Sequence, residues 1–139
     1  MKKNRPPEFV PAVSDYVSAF TMIEEQMTEK QREMLIEHYK SYCRVTTATD
    51  LALLVGYKSH RAGNSQYGRL GSMVSDALGL GSLGVITLVL MVPPFGAVIS
   101  DWLWVMRANV VEALEELEWV DKTGHLFYPN GMVGVNFEK

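Results

Sequence analysis

The chain has 139 residues, 47% of them hydrophobic and 21% charged, with a formal net charge of -3. Those figures suit one ordered domain, 1–139, that buries its own core, and they exclude a chain disordered throughout. Cys43 is the only cysteine, which rules out an internal disulfide and a cysteine-based zinc site and suits a reducing, cytoplasmic setting. The basic start, MKKNRPPEF, lacks the apolar core of a signal peptide, and residues 1–10 are expected to be flexible. The longest apolar run, Val85 to Val92, falls far short of the roughly 20 residues of a membrane span, so no membrane partner is expected.

Val13, Tyr16, Val17, Phe20 and Ile23 recur at helical spacing, with Ser14 or Asp15 near the start of the helix they imply. Thr28-Glu29-Lys30-Gln31 has the form of a capping box and opens a helix over about 28 to 42. Thr46, Thr47 and Thr49 around Asp50 introduce a short apolar helix over 48 to 55, which Gly56 closes as a left-handed cap. After a polar bridge, a further helix is expected from near Asn64 to Leu78, with Tyr67, Leu70, Val74 and Leu78 on one face. These two helices have the outline of a helix-turn-helix with a long bridge.

From Gly84 the period changes. Val85 to Val92 and residues 98 to 106 read as strands joined by a turn at Pro93-Pro94-Phe95-Gly96. Asn109 is expected to cap a helix over 109 to 118, burying Val110, Val111, Leu114 and Leu117 and leaving Glu112, Glu115, Glu116 and Glu118 in solvent. The last segment, LFYPNGMVGVNF, reads as two short β-like runs around a Pro-Asn-Gly turn. The expected class is α+β, with a helix-rich N-terminal half containing the helix-turn-helix-like unit, then a small antiparallel sheet and a C-terminal helix.

No catalytic constellation is legible. His38, His60 and His125 share no metal-ligand spacing, Cys43 reads as a small buried apolar residue, and no phosphate-binding glycine loop is present. No metal, cofactor or enzymatic activity is expected. A binding role has more support, because Lys58, Arg61 and Arg69 are the only charges between Leu51 and Ser75 in a chain that is acidic overall. With the α-helix starting near Asn64, the side chains of Asn64, Ser65, Arg69 and Ser72 would project away from the apolar stripe beside Lys58 and Arg61. Arg and Asn have the donor geometry that reads purines in a major groove. Gly68 and Gly71, one turn apart, suggest close helix packing, the rival reading being close approach of a backbone to a partner. Trp102 and Trp104, alternating along a strand, read as core residues, the rival reading being two indoles that cage a base.

The succession TATDLALLVGYKSHRAGNSQYGRLGSMVSDALGL, followed by WLWVMRANVVEALEELEWV, resembles a region ahead of the nuclease domain in bacterial HNH restriction endonucleases. The resemblance spans about residues 46 to 120 and implies a DNA-recognition or accessory module of a restriction or defence system. No HNH motif is recognisable in the chain, so nuclease activity is not carried over. Two roles follow as expectations. One is a non-catalytic module binding double-stranded DNA through Lys58, Arg61, Asn64, Ser65, Arg69 and Ser72. The other is a phage-encoded inhibitor of a CRISPR or restriction system, presenting the acidic face of Glu112, Glu115, Glu116 and Glu118 to a nucleic-acid-binding defence protein.

Overall fold

The computed structural model describes residues 10–93 and 101–121. The turn after Pro93, the first part of the second expected strand, His125 and the Pro-Asn-Gly segment lie outside the described residues, as does almost all of the N-terminal stretch. Among the described residues the fold is α+β, with five α-helices and a three-stranded antiparallel sheet.

Helix α1, Val13–Ile23, is pinned at its start by Asp15, whose carboxylate accepts the Ala12 N–H at 2.9 Å. Helix α2, Glu29–Lys40, begins with the reciprocal Thr28 and Gln31 bonds that the sequence announces, each 3.0 Å. After it the chain reverses through a 3-10 turn in which Cys43 and Arg44 take φ values of +55° and +63°. Cys43 is exposed there, not buried, because a residue in this tight left-handed turn points its side chain away from the packed interior. The turn delivers β1, Val45–Thr47, a strand too short to show any period in sequence.

Helix α3, Ala48–Leu54, is capped by Thr47, whose hydroxyl accepts the Asp50 N–H at 3.1 Å. Gly56, at φ +91°, closes it as expected, letting the Tyr57 N–H reach back to the Ala52 carbonyl at 2.9 Å. The Lys30 ammonium also reaches the Val55 carbonyl, a cation at the negative end of the helix.

Helix α4 runs His60–Ala77 and therefore starts well before Asn64, with Ser59 as its cap. Gly63, expected to precede the helix as part of the polar bridge, lies inside it. A Cβ at Gly63 would sit 2.6 Å from the Ala52 Cβ, so the glycine is needed for α3 and α4 to cross closely. This pair, with residues 55–59 between them, forms the helix-turn-helix-like unit.

Residues 84–87, which include the first part of the strand expected over 85 to 92, form a 3-10 turn instead. That turn lies against α4 so closely that a Cβ on Gly71 would be 2.2 Å from the Gly84 carbonyl oxygen, and this packing overrides the β-branched side chains. The strand proper, β2, is Val89–Val92, and it pairs with β3, Leu103–Met106, aligning Met91 with Trp104. On the other side of β3, Thr46 of β1 aligns with Trp104, giving the order β1-β3-β2.

Helix α5, Ala108–Glu116, completes the described fold. Asn109 lies inside it rather than at its cap, and its amide donates to the Pro11 carbonyl at 2.9 Å, tying the start of α5 to the entry of α1. The core gathers Tyr16 and Phe20 of α1, Met34, Leu35 and Tyr39 of α2, Leu51 of α3, Tyr67, Leu70 and Val74 of α4, Trp104 and Met106 of β3, and Val110 and Leu114 of α5.

Candidate nucleic-acid interface

The candidate surface is built on α4, whose two sides have different work. Its inner side buries Gly63, Tyr67, Leu70, Gly71, Val74 and Ser75. On the outer side Arg61, Ser65 and Arg69 are exposed, and Lys58 is exposed just ahead of the capping Ser59. Four-residue steps turn a helix by about 40° each, so Arg61, Ser65 and Arg69 follow one gently winding track. Among the described residues none of Lys58, Arg61 and Arg69 has an ion-pair partner.

Two members of the expected contact set leave this track. Ser72 is half-buried, and its hydroxyl oxygen accepts the Gly84 N–H at 3.1 Å, which commits it to holding the 84–87 turn. Asn64 lies five residues before Arg69, about 140° away around the axis. That angle is set by the five-residue separation alone; Asn64 is exposed in the second turn of α4, behind the capping Ser59. There it lines a cleft of about 200 Å3 with Ala48, His60, Met91, Asp101, Trp102 and Trp104. Arg69 borders a different, polar cleft with Gln26, Thr28, Gln31, Gln66 and Met73.

The two tryptophans divide their tasks. Trp104 is 2% exposed and stacks on Tyr67, with ring centroids 5.4 Å apart. Trp102, 48% exposed, forms the outer wall of the cleft. Beside it the Thr49 hydroxyl donates to Asp101 Oδ2 at 2.6 Å and fixes the carboxylate. Sequence reading missed Asp101, Met91 and the binding potential of His60, because the residues that make the cleft come from α3, α4, two strands and the segment leading into β3.

Beneath α4 lies a polar cluster in the core. His38 Nε2 is 3.0 Å from both the Arg44 and Trp104 carbonyl oxygens, so it carries the hydrogen and donates to them, while Nδ1 accepts from the Tyr67 hydroxyl at 2.8 Å. Burial lowers the His38 pKa to about 4 and raises that of Tyr67, so both are neutral at pH 7. Their bonds join α2, α4, the 43–44 turn and β3. Nearby, the Tyr39 hydroxyl donates to Glu115 at 2.7 Å, and burial together with that bond and the adjacent carboxylate pushes its pKa up to about 12. Arg44 stacks 4.1 Å from the Tyr39 ring centroid and lies 4.0 Å from Glu115.

Glu115 is thereby tied into the fold and leaves the acidic face expected on α5. Glu112, Glu116 and Glu118 are exposed. Among the described residues no cluster of three or more His, Cys, Asp or Glu is placed to hold a metal ion. No helix among them is long and apolar enough to cross a membrane. No family profile, curated protein or solved structure matches the chain.

Proposed function

We propose that the chain is a non-catalytic DNA-binding module, of the accessory kind used in bacterial restriction or defence, that holds a duplex on the outer track of α4. The observation that carries this reading is the exposed line of Lys58, Arg61, Ser65 and Arg69, whose three cations have no ion-pair partner among the described residues. A helix-turn-helix offers its second helix in this way, with the first turns nearest the groove. Serving the DNA backbone, Lys58 and Arg61 contribute about 1 each to the logarithmic salt slope and the more distant Arg69 less, a slope between about -2 and -3 that signals modest electrostatic affinity.

A salt titration of binding to plain and modified duplexes tests the reading. Lys58→Ala and Arg61→Ala should each flatten the slope by about 1 and weaken all duplexes similarly. Binding that is indifferent to both substitutions overturns it. Magnesium- or manganese-dependent cleavage by the pure protein, abolished by a substitution in this chain, overturns the non-catalytic part.

A second reading, a phage-encoded inhibitor that captures a nucleic-acid-binding defence protein, is favoured by the exposed Glu112, Glu116 and Glu118. Failure to bind any duplex, combined with capture of such a protein that is lost on Glu112→Lys and Glu116→Lys, selects it.

A further inference from the structure

The cleft between α4 and the sheet combines features that the DNA-binding track does not use. Its lining brings the half-exposed indole of Trp102 together with the buried edge of the fold at Trp104, the thioether of Met91, and the polar side chains of His60, Asn64 and Asp101. Among the described residues neither His60 nor Asn64 has a side-chain hydrogen-bond partner, and Asp101 uses one carboxylate oxygen for Thr49 and leaves the other open. An aromatic wall with a few convergent polar groups is the usual make-up of a small-ligand site. At about 200 Å3 the cleft lies below the roughly 300 to 1,000 Å3 typical of sites for drug-sized ligands.

We infer that this cleft receives a single unstacked nucleobase. The inference rests on the DNA-binding reading for its main source of bases, since Asn64 and His60 stand on α4 just around the helix from Arg61. The indole offers a stacking face, which every base can use. The Asn64 amide both donates and accepts, and the second Asp101 oxygen accepts, so together they meet the adjacent donor and acceptor that the pairing edge of each base carries. The same carboxylate repels phosphate and keeps the sugar-phosphate chain outside, on the cationic track. An aliphatic ligand would leave the polar groups unsatisfied, and a quaternary ammonium would use the indole and the carboxylate but not Asn64 or His60.

The base has two possible sources, DNA held on α4 or a free nucleoside, and the experiment separates them. Anisotropy titrations compare a matched duplex with duplexes carrying one A·C or one T·T mismatch, because a mismatched base is the cheapest to turn out. Both mismatched duplexes should bind about tenfold tighter than the matched one. Trp102→Ala should erase that preference while leaving matched binding unchanged, and Trp102→Phe, which keeps a stacking face, should restore part of it. Thermal melts confirm that both variants fold. Matched-duplex binding that depends on Lys58 and Arg61, with no mismatch preference or with a preference that survives Trp102→Ala, overturns the cleft inference and leaves the DNA reading standing. Where no duplex binds, the DNA reading falls and free nucleosides decide. Tryptophan quenching by adenosine or thymidine, lost in Trp102→Ala, then supports the cleft. Quenching by neither nucleoside, or by tetramethylammonium alone, overturns it.

Discussion

The two sides of α4 meet opposite demands. On the inner side two neighbours approach so closely that glycine is required, at Gly63 against Ala52 and at Gly71 against the Gly84 carbonyl. Tyr67 on the same side holds His38 through its hydroxyl and Trp104 through its ring. On the outer side Gly68 has nothing within 4 Å of where a Cβ would be, and Arg61, Ser65 and Arg69 face solvent. The contrast separates residues that make the fold from residues left free to bind, and substitutions on the two sides should differ in kind.

The largest effect is expected at Gly71. An added methyl there would lie 2.2 Å from backbone oxygen, which no rotamer change relieves, so the 84–87 turn must move. Gly71→Ala should cost about 3 kcal/mol despite the better helix propensity of alanine, read as a lower urea midpoint. A midpoint equal to the parent's would show that the close approach is not a constraint.

Next comes the buried His38 cluster. Tyr67→Phe leaves His38 Nδ1 without a donor in the core and should cost about 1 to 3 kcal/mol. The same histidine sets a pH dependence. Its folded pKa of about 4 lies below the unfolded value of 6.5, so the unfolded chain binds more protons between these values. The stabilisation is complete above pH 6.5 and is lost as pH falls toward 4, at up to about 1.4 kcal/mol per unit. Denaturant titrations between pH 7 and 5, above most carboxylate titration, read this slope. His38→Gln should be less stable overall but nearly flat across that window, and an unchanged slope would assign it to another group.

How much of this was legible in sequence depended on how local each cause is. The Thr28 and Gln31 capping box and the Gly56 cap are each set within a few residues, and both formed as read. The start of α4 was misplaced because Gly63 reads as part of the polar bridge until Ala52, eleven positions earlier, is packed against it. The strand at residues 45–47 has no period to read, and the turn at 84–87 is dictated by α4 rather than by its own β-branched residues. The site divided in the same way. The cations of the outer track stand out because an acidic chain seldom gathers them, whereas the grouping of Asn64 with Asp101 and Trp102 exists only after the sheet has formed.

A smaller effect of opposite sign is expected at Gly68. It lies inside α4 with open space beside it, so Gly68→Ala should raise stability by up to about 1 kcal/mol through helix propensity alone. Because Gly68 also lies near the DNA track, the same variant measures how closely a partner approaches. Higher stability with weaker duplex binding would mean that backbone and ligand meet at this point, and unchanged binding would place the contact toward the helix start.

The smallest change in stability is expected from the outer cations, and here the comparison becomes sharpest. Arg61→Ala and Arg69→Ala remove exposed side chains that have no ion-pair partner among the described residues, so each should leave stability within about 0.5 kcal/mol of the parent. Their binding effects should differ. The two positions are eight residues apart, about 12 Å along the axis, and Arg69 also borders the polar cleft formed with Gln31 and Gln66. A groove entered by the first turns of α4 should feel Arg61→Ala as a loss of about 1 in the salt slope and Arg69→Ala as a smaller loss. Equal losses would lay the duplex along the whole helix, and a larger loss at Arg69 would turn it toward α2 and away from the cleft at Trp102.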